Sequence, residues 1–267
     1  MKKIVHISIY VFVAAAIIAL TAFSGKSHRA RLCPGVEINI DYGSREKATD
    51  ILLVLNDVKQ TISLNFDSLK GRPLSEINIE KLEKVLSEMH YSDKAEAFAE
   101  VNGKVHISLK QRRPVVRIYG MSGYSFYIDE TGTIIPVRYG FPARVMIASG
   151  VIDDRFYKGE NINIFDSSSD TIAGMELIRN IFRLATLVDN DKFLKKEITQ
   201  INISGDGTIT MIPLVGRHTI EMLSFDNMDR KLRKLKIFYK KGLRHSGWGK
   251  YRKINIEYKD QIVCTKI

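Results

Sequence analysis

The residues best suited to chemistry are six histidines, and their spacing matches none of the short metal-binding motifs, which leaves a site assembled from distant segments as the alternative. They are His6, His28, His90, His106, His218 and His245. No H-x-x-x-H pair or cysteine pair lies among them, which excludes the short-spacing zinc motifs. His106 and His218 fall in predicted strands, and we expect both to point outward as polar positions. The sequence therefore predicts no metal and no other cofactor.

Hydroxyls and carboxylates crowd together at residues 166–170, as they would in a nucleophile loop. No G-x-S-x-G or G-x-x-x-x-G-K motif accompanies them. Serine and aspartate also gather at helix starts, because they accept hydrogen bonds from free backbone amides. We therefore predict a helix capped by Asp170, and turns at Asp153-Asp154 and at residues 189–191. The chain is predicted not to be an enzyme.

Residues 4–23 form an uncharged apolar run, which could place the rest of the chain at a membrane. About 20 apolar residues cross a bilayer core, whereas signal-peptide cores are shorter, roughly 7–15 residues. We predict a single-pass anchor in the cytoplasmic (inner) membrane. Residues 1–3 would then be a cytoplasmic stub, residues 24–34 a linker, and the bulk would lie in the periplasm. A cleaved signal peptide is the alternative, because the basic start and small residues near Ser24 fit one roughly.

The net charge of +11 comes from one segment of the 267-residue chain. Residues 230–253 contain eleven lysines and arginines and no acid. The basic surface is predicted to include Arg230, Lys231, Arg233, Lys234, Lys240 and Lys241. No stacking-aromatic motif accompanies it, so nucleic acid is not predicted as a partner. Anionic lipid or an acidic partner suits it better, and a solvated helix face is the simpler alternative.

Two cysteines are too few for a disulfide framework. Cys33 and Cys264 lie near opposite ends of the chain, and a disulfide requires Cα atoms within about 7 Å. We therefore favour two unpaired thiols, and pairing remains the alternative.

Residues 35–113 are predicted to form a small α+β domain. Residues 36–40 alternate as a strand, and two helices follow, capped by Asn56 and Asn78. A hairpin at residues 94–111 completes the order strand, helix, helix, strand, strand.

Residues 114–267 are predicted to form a strand-rich β domain with two packed helices, the second capped by Asp226. Two strands close the chain, at residues 253–258 and 261–267. The last strand has no further sequence to cover it. A terminal strand can expose backbone groups that accept a strand from a partner.

Consecutive antiparallel strands are predicted at residues 101–137. Asn102-Gly103 suits a two-residue hairpin turn. Pro114 interrupts strand pairing. A turn with Gly132 in the left-handed conformation follows the next strand.

Several segments resemble the FtsQ/DivIB bacterial cell-division proteins, in their Bacteroidetes form. They are CPG before VEINI, VHISLKQRRPVVRI, YSFYIDETGTIIPV, KLRKLKIFYKK and INIEYKDQIVCTK. The first module resembles a POTRA domain, and the order and spacing of the segments match the family over nearly the whole chain.

The resemblance implies a non-enzymatic scaffold of the division septum that recruits FtsB and FtsL and links early to late division proteins. In the family, a strand of FtsB joins the edge of the final strand, helped by a tyrosine that Tyr258 matches here. The implied partner-binding residues are Tyr258, Gln261, Ile262, Val263, Cys264 and Thr265. The chain lacks the aromatic that better-known members carry in or after this strand. A proline at Val263 is expected to weaken capture without unfolding the domain.

Two other functions stay open. One is another single-pass POTRA protein of envelope assembly or secretion, although those usually carry several POTRA repeats or a long barrel of alternating strands. The other is an anchored envelope enzyme with an unrecognised site.

Overall fold

The computed structural model describes residues 31–43, 51–243 and 247–267. The predicted stub and anchor, the first part of the linker, and His6, His28 and His245 lie outside these residues. Within the described part, no helix combines the length and apolarity needed to cross a membrane. The chain forms two compact units that divide mainly between Gln111 and Arg112.

The first unit has the predicted order of strands and helices. Strand β1 is Val36–Asp41, helix α1 is Leu55–Asn65, helix α2 is Ile79–Ser87, and the hairpin strands are β2 (Ser92–Ala99) and β3 (Val105–Gln111). The sheet order is β1-β3-β2, with β1 parallel and β2 antiparallel to β3. The α+β prediction is therefore confirmed for this unit.

Apolar side chains from both layers form the core of the first unit. Leu82 and Leu86 are buried on one face of α2, four residues apart, as the periodicity predicts. They join a cluster with alternate residues of β3, among them Ile107 and Leu109. Burial of these side chains against the sheet holds α2 in place.

The second unit is built on a ten-stranded sheet. Its strands are β4 (Pro114–Tyr119), β5 (Ser125–Asp129), β6 (Thr133–Pro136), β7 (Met146–Gly150), β8 (Ile162–Asn163), β9 (Ile198–Ile203), β10 (Ile209–Pro213), β11 (Thr219–Met222), β12 (Tyr251–Asn255) and β13 (Val263–Lys266). The order across the sheet is β13-β12-β11-β10-β9-β7-β4-β5-β6-β8. The predicted strand-rich domain is observed, with β13 and β8 at its two edges.

Helices of the second unit pack against this sheet in one apolar cluster. Helix α3 is Met175–Asn190, α4 is the short Leu194–Glu197, and α5 is Met228–Ile237, which continues as a π-helical turn, Phe238–Leu243. Buried residues of α3 and α5 belong to the same cluster as buried residues of the strands, for example Ile181 and Leu235 with Ile220 and Ile254.

Of the four predicted helix caps, only Asn78 is correct. Its Oδ1 accepts a hydrogen bond of 2.8 Å from the Lys81 N–H. Helix α1 begins one residue before Asn56, and α3 begins at Met175, after a separate 3-10 helix that contains Asp170. Helix α5 follows Asn227 (φ +54°), not Asp226, and no side chain caps it. A cap requires a particular backbone conformation at one position, which the residue type alone does not fix.

The predicted turns are mostly confirmed. Gly132 has φ +83° and its N–H donates to the Asp129 carbonyl, as expected for the turn between β5 and β6. Gly103 also has a positive φ, +93°. The two-residue turn is wrong, however, because Asn102 keeps a negative φ and the Gly103 N–H closes a turn on Glu100. Pro114 starts β4 at a shift in register, where its missing N–H is tolerated.

Candidate partner-binding edge

Strand β13 forms one end of the ten-stranded sheet. It pairs antiparallel with β12, with Lys253 opposite Thr265 and Asn255 opposite Val263. Among the described residues, no strand lies on its other side. The last strand of the sequence is therefore an edge strand.

The outward backbone groups of β13 belong to Cys264 and Lys266. The Ile267 N–H donates to the Lys250 carbonyl at 3.2 Å, so the backbone of Ile267 turns toward β12. Backbone groups alternate in direction along a strand, so those of Val263 and Thr265 also turn toward β12. Cys264 and Lys266 each present one N–H donor and one C=O acceptor to the open side.

The side chains of this segment alternate between the two faces of the sheet. Ile262 and Cys264 are half-buried and pack against the core. Val263 is 44% exposed and Thr265 is exposed. Burial raises the pKa of the Cys264 thiol. Both Cys264 and the buried Cys33 are free thiols, as we favoured from the sequence.

Tyr258 and Gln261 lie in the connection between β12 and β13. Strand β12 ends at Asn255, three residues earlier than the predicted strand. Tyr258 is 50% exposed, so it is not a core aromatic. The carbonyls of Tyr258 and Gln261 both accept from Lys234 Nζ of α5, the second at 3.1 Å. One lysine therefore fastens the connection to the helix. Burial lowers the pKa of Lys234.

A buried ion pair ties α5 to the end of β12. Lys231 Nζ lies 2.7 Å from Glu257 Oε2, and the Lys231 side chain is 3% exposed. Glu257 also accepts from the Leu223 N–H at 2.8 Å, and Lys231 also donates to the Ser224 carbonyl at 2.9 Å. Burial alone would raise the pKa of Glu257, but the hydrogen bonds from Lys231 and Leu223 outweigh it and lower that pKa.

This ion pair corrects the predicted basic surface. Lys231 is buried, because the α5 periodicity that buries Leu232 and Leu235 also turns Lys231 inward, where Glu257 compensates its charge. Arg230 is half-buried. Arg233, Lys240 and Lys241 are exposed, and Lys240 Nζ lies 5.4 Å from the centre of the Phe193 ring.

His218 is the second correction, since it is buried at 2% exposure and does not point outward. Its Nε2 shares a hydrogen bond of 2.6 Å with the Tyr239 hydroxyl. Gly216 packs against the ring so closely that a Cβ there would lie 2.7 Å from His218 Nδ1. Burial lowers the pKa of His218 and raises that of Tyr239. His106, by contrast, is partly exposed and lies 2.9 Å from Glu100.

The remaining candidates for chemistry have structural partners. Ser169 Oγ donates to the Asn163 carbonyl at 2.7 Å, and Asp170 pairs with Arg179 at 2.5 Å. Asp153 accepts from Arg155, which lowers the pKa of the Asp153 carboxyl to about 2. Among the described residues, no cluster of histidine, cysteine or carboxylate side chains could hold a metal ion.

Asp189 and Asp191 stabilise the C-terminal end of α3. Asp189 pairs with Arg113 and lies 2.6 Å from Lys195. Asp191 accepts from the Phe193 N–H at 2.9 Å and from Lys236 at 2.5 Å. These carboxylates therefore stabilise a helix end, and the predicted turn at residues 189–191 is wrong for Asp189 and Asn190, which lie in α3.

Sequence reasoning missed Glu257 and the inward lysines. Glu257 is the first acid after the acid-free basic segment, four residues beyond its end. That position was a signal that the segment has an internal counter-charge. No comparable signal indicated that Lys231 and Lys234 turn inward. Lysine is rarely buried unless it is paired, so its residue type predicts an outward position.

Two protein families match the chain. A family described as FtsQ/DivIB, C-terminal related, matches residues 113–265, and one described as POTRA-like domain matches residues 31–110. The comparison with curated proteins found no match. The first match spans more than half of the 267 residues. The chain therefore belongs to the FtsQ/DivIB family and carries a POTRA-like domain before its C-terminal domain, as the sequence motifs indicated.

Proposed function

We propose that this protein is a non-enzymatic scaffold that captures FtsB/FtsL-like partners by adding a partner strand to β13. Membership of the FtsQ/DivIB family suggests a scaffold role in the division machinery and association with the septum. Members of this family act as scaffolds without enzymatic activity. The observation that carries the proposal is the outer side of β13, which no strand in the described part of the chain covers.

The backbone direction defines how an added strand would bind. Cys264 and Lys266 offer two donors and two acceptors to the incoming chain. Main-chain hydrogen bonds supply most of the affinity in this mode, and alternate side chains supply selectivity. An incoming side chain beside Cys264 would lie on the helix-covered face, and one beside Val263 or Thr265 on the open face.

Tyr258 is the side chain best placed to add selectivity. It is half-exposed, and Lys234 holds its carbonyl, so its backbone is fixed before a partner arrives. A fixed aromatic loses little conformational entropy on binding. The half-exposed ring can therefore bury apolar surface against the partner at low cost.

We also propose that residues 4–23 anchor the protein in the inner membrane with the two domains in the periplasm. Residues 24–34 would then link the anchor to the domain at residues 35–113, with residues 114–267 as the β domain. Arg233, Lys240 and Lys241 are exposed and available for anionic lipid or an acidic partner.

The decisive variant is Cys264→Pro, paired with Cys264→Ala. Val263→Pro, the variant that the sequence suggests, is unsuitable because the Val263 backbone faces β12 and proline would break the ladder. Cys264→Pro removes an outward N–H that no strand of the described residues meets, whereas alanine keeps it. The full chain in detergent is titrated with the FtsB- and FtsL-like proteins of the same organism.

We expect Cys264→Pro to weaken capture by about tenfold, the value of one well-placed hydrogen bond, and Cys264→Ala to leave it within about threefold. Equal capture by both variants would contradict strand addition at β13. Hydrogen exchange on the unmodified chain gives a check that is independent of folding defects. The amides of Cys264 and Lys266 must slow on partner binding, while that of Thr265 changes less.

Localisation tests the scaffold role itself. A fluorescent fusion should collect at mid-cell in dividing cells. An even distribution over the membrane would instead favour another POTRA protein of envelope assembly or an anchored enzyme.

A further inference from the structure

The edge of the POTRA-like domain formed by β1 is also open. The Gly35 carbonyl accepts from the Val105 N–H at 3.1 Å, so Gly35 turns toward β3. By strand alternation, Val36, Ile38 and Ile40 turn their N–H and C=O groups away from β3. No strand of the described residues lies on that side.

A groove of about 670 Å³ runs beside this edge, between β1 and α1. Its floor includes Val36 and Ile38 of β1 and Ile62 and Phe66 of α1. All four are only half-buried and lie at the margin of the apolar core. Apolar surface in a concave site gains free energy when a ligand removes it from water.

The charge around the groove is positive on the helix side. Lys59 lies on α1, two turns before Phe66, and Lys70 follows the helix; both line the groove. Both are exposed and have no ion pair among the described residues. Asp67 is compensated by Arg72 at 2.6 Å.

The opposite face of β1 carries polar and charged side chains. Glu37, Asn39 and Asp41 alternate with the groove-facing residues and are exposed. Glu37 pairs with Lys104. A strand added beside β1 would therefore meet lysines on its groove face. On its other face it would meet Asn39, Asp41 and the Glu37–Lys104 pair.

The β2 edge of the same sheet is closed to an added strand. Glu83 of α2 reaches over, and its Oε1 accepts from the Ala97 N–H at 2.7 Å. Ala97 is one of the residues whose backbone turns away from β3, since the Glu100 N–H bonds inward to the Lys104 carbonyl. Glu83 thus occupies a donor that an incoming strand would need.

We propose that β1 and its groove are a second strand-addition site, which binds an extended segment of a protein partner with a defined pattern. Its groove face carries apolar side chains flanked by acidic ones, and its other face carries basic or polar side chains. This site is separate from β13 and does not depend on capture there.

The probe is a fluorescein-labelled peptide, Glu-Thr-Ile-Lys-Val-Lys-Ile-Thr-Glu, titrated against the full chain in detergent by fluorescence anisotropy. A second probe replaces both glutamates by lysine. Lys59→Glu with Lys70→Glu is the test variant. Lys84→Glu with Lys196→Glu is the matched control, since these lysines are exposed and do not line the groove.

We expect the acidic-flanked probe to bind about tenfold more weakly to the test variant, since two exposed charge contacts become repulsive. The lysine-flanked probe should bind that variant better than it binds the unmodified chain. The control should match the unmodified chain within about twofold. The proposal would be overturned if either probe bound the test variant and the unmodified chain equally well. Absence of binding at millimolar peptide would also overturn it.

Hydrogen exchange locates the bound probe. The amides of Val36, Ile38 and Ile40 should slow when the peptide is added. Protection confined to the β2 edge or to β13 would overturn the assignment to β1. These exchange measurements use the unmodified chain, so a folding defect cannot explain the result.

Discussion

The outer edges of β2 and β13 are both sheet ends, yet their backbone groups have different surroundings. In the POTRA-like domain, the Glu83 carboxylate occupies the outward Ala97 N–H of β2. In the C-terminal domain, the outward groups of Cys264 and Lys266 have no covering strand among the described residues. Uncovered edges invite unwanted pairing and are usually protected. One edge is therefore closed by its own helix, whereas the outer side of the other meets no strand of the described residues.

Helix α5 supports the β13 edge without covering it. Lys231 and Lys234 reach from α5 to Glu257 and to the connection before β13. These contacts stabilise the edge strand from the side of the helix and leave its outer side open. A single charged Lys266 on β13 itself limits uncontrolled pairing, as charged residues do on other edge strands.

The largest expected effect is that of Lys231→Met on the support of β13. Removing one partner of a buried ion pair leaves the other uncompensated, which costs about 3 kcal/mol when burial is complete. Glu257 is about a quarter exposed, so we expect a loss of about 2 kcal/mol. Denaturant unfolding followed by Trp248 measures it, because this tryptophan is the only one in the chain and lies in the C-terminal domain.

Capture of the FtsB/FtsL-like partner should weaken together with stability in Lys231→Met. Lys196→Met serves as the control, since Lys196 is exposed and lies outside the predicted basic surface. A stable Lys231→Met protein that captures its partner normally would show that the ion pair does not support the edge.

Glu83→Ala should make the β2 edge resemble that of β13. Loss of one partly buried hydrogen bond costs about 1 kcal/mol. We expect faster hydrogen exchange at Ala97 and self-association of the full chain by sedimentation at high concentration. Glu83→Gln keeps an acceptor oxygen, so its exchange rate at Ala97 should lie between those of the unmodified chain and Glu83→Ala. Unchanged exchange at Ala97 would contradict the closing role of Glu83.

The C-terminal domain should lose stability as the pH falls below about 6.5, the ordinary histidine value. The folded state holds the pKa of His218 below that value. Between the folded and unfolded pKa values, the unfolded chain binds more protons, so the free energy of unfolding falls with pH by at most about 1.4 kcal/mol per unit. The full contribution is present above pH 6.5 or so.

Denaturant unfolding followed by Trp248 fluorescence, repeated at several pH values between 8 and 5.5, measures this loss of stability. The range stays above the titration of Glu257, whose pKa is lowered from 4.5. His218→Gln removes the titrating ring and should flatten the profile. An equally steep profile in that variant would assign the effect to another group.

The smallest effect concerns the exposed basic residues. If backbone pairing at β13 carries capture, Lys240→Gln with Lys241→Gln should leave it within about twofold. If lipid is the ligand of these lysines, the double variant should bind anionic vesicles more weakly. Added salt should likewise weaken vesicle binding by the unmodified chain. Loss of capture in this variant would mean that electrostatics, not the strand edge, dominates.

The order of elements and most of the core were predictable from the sequence. Apolar residues of α2 recur at helical spacing, and those of β3 alternate, so each pattern indicated its own element. Gly132 marked its turn because few other residues adopt a positive φ. The motifs around β5 and β12 indicated the family, which the match over residues 113–265 confirmed.

The candidate site was predictable only in outline. The last strand was expected to be uncovered, and it is an edge strand. From the sequence, a proline was expected to disrupt partner binding at Val263. The outward backbone groups belong instead to the neighbouring Cys264. Alternation predicts that neighbouring residues differ in direction, but which of them faces β12 depends on the register of pairing.

Chain-local physics determined the fold class, the hairpins and the chemical character of each segment, because periodicity and turn residues act over a few neighbours. Contacts between distant residues decided the burial of Lys231 and His218, the closing of β2 by Glu83, and the outward groups of β13. A lysine is tolerated inside only when a carboxylate from elsewhere in the chain meets it. An edge is open or closed only by what the rest of the chain brings to it.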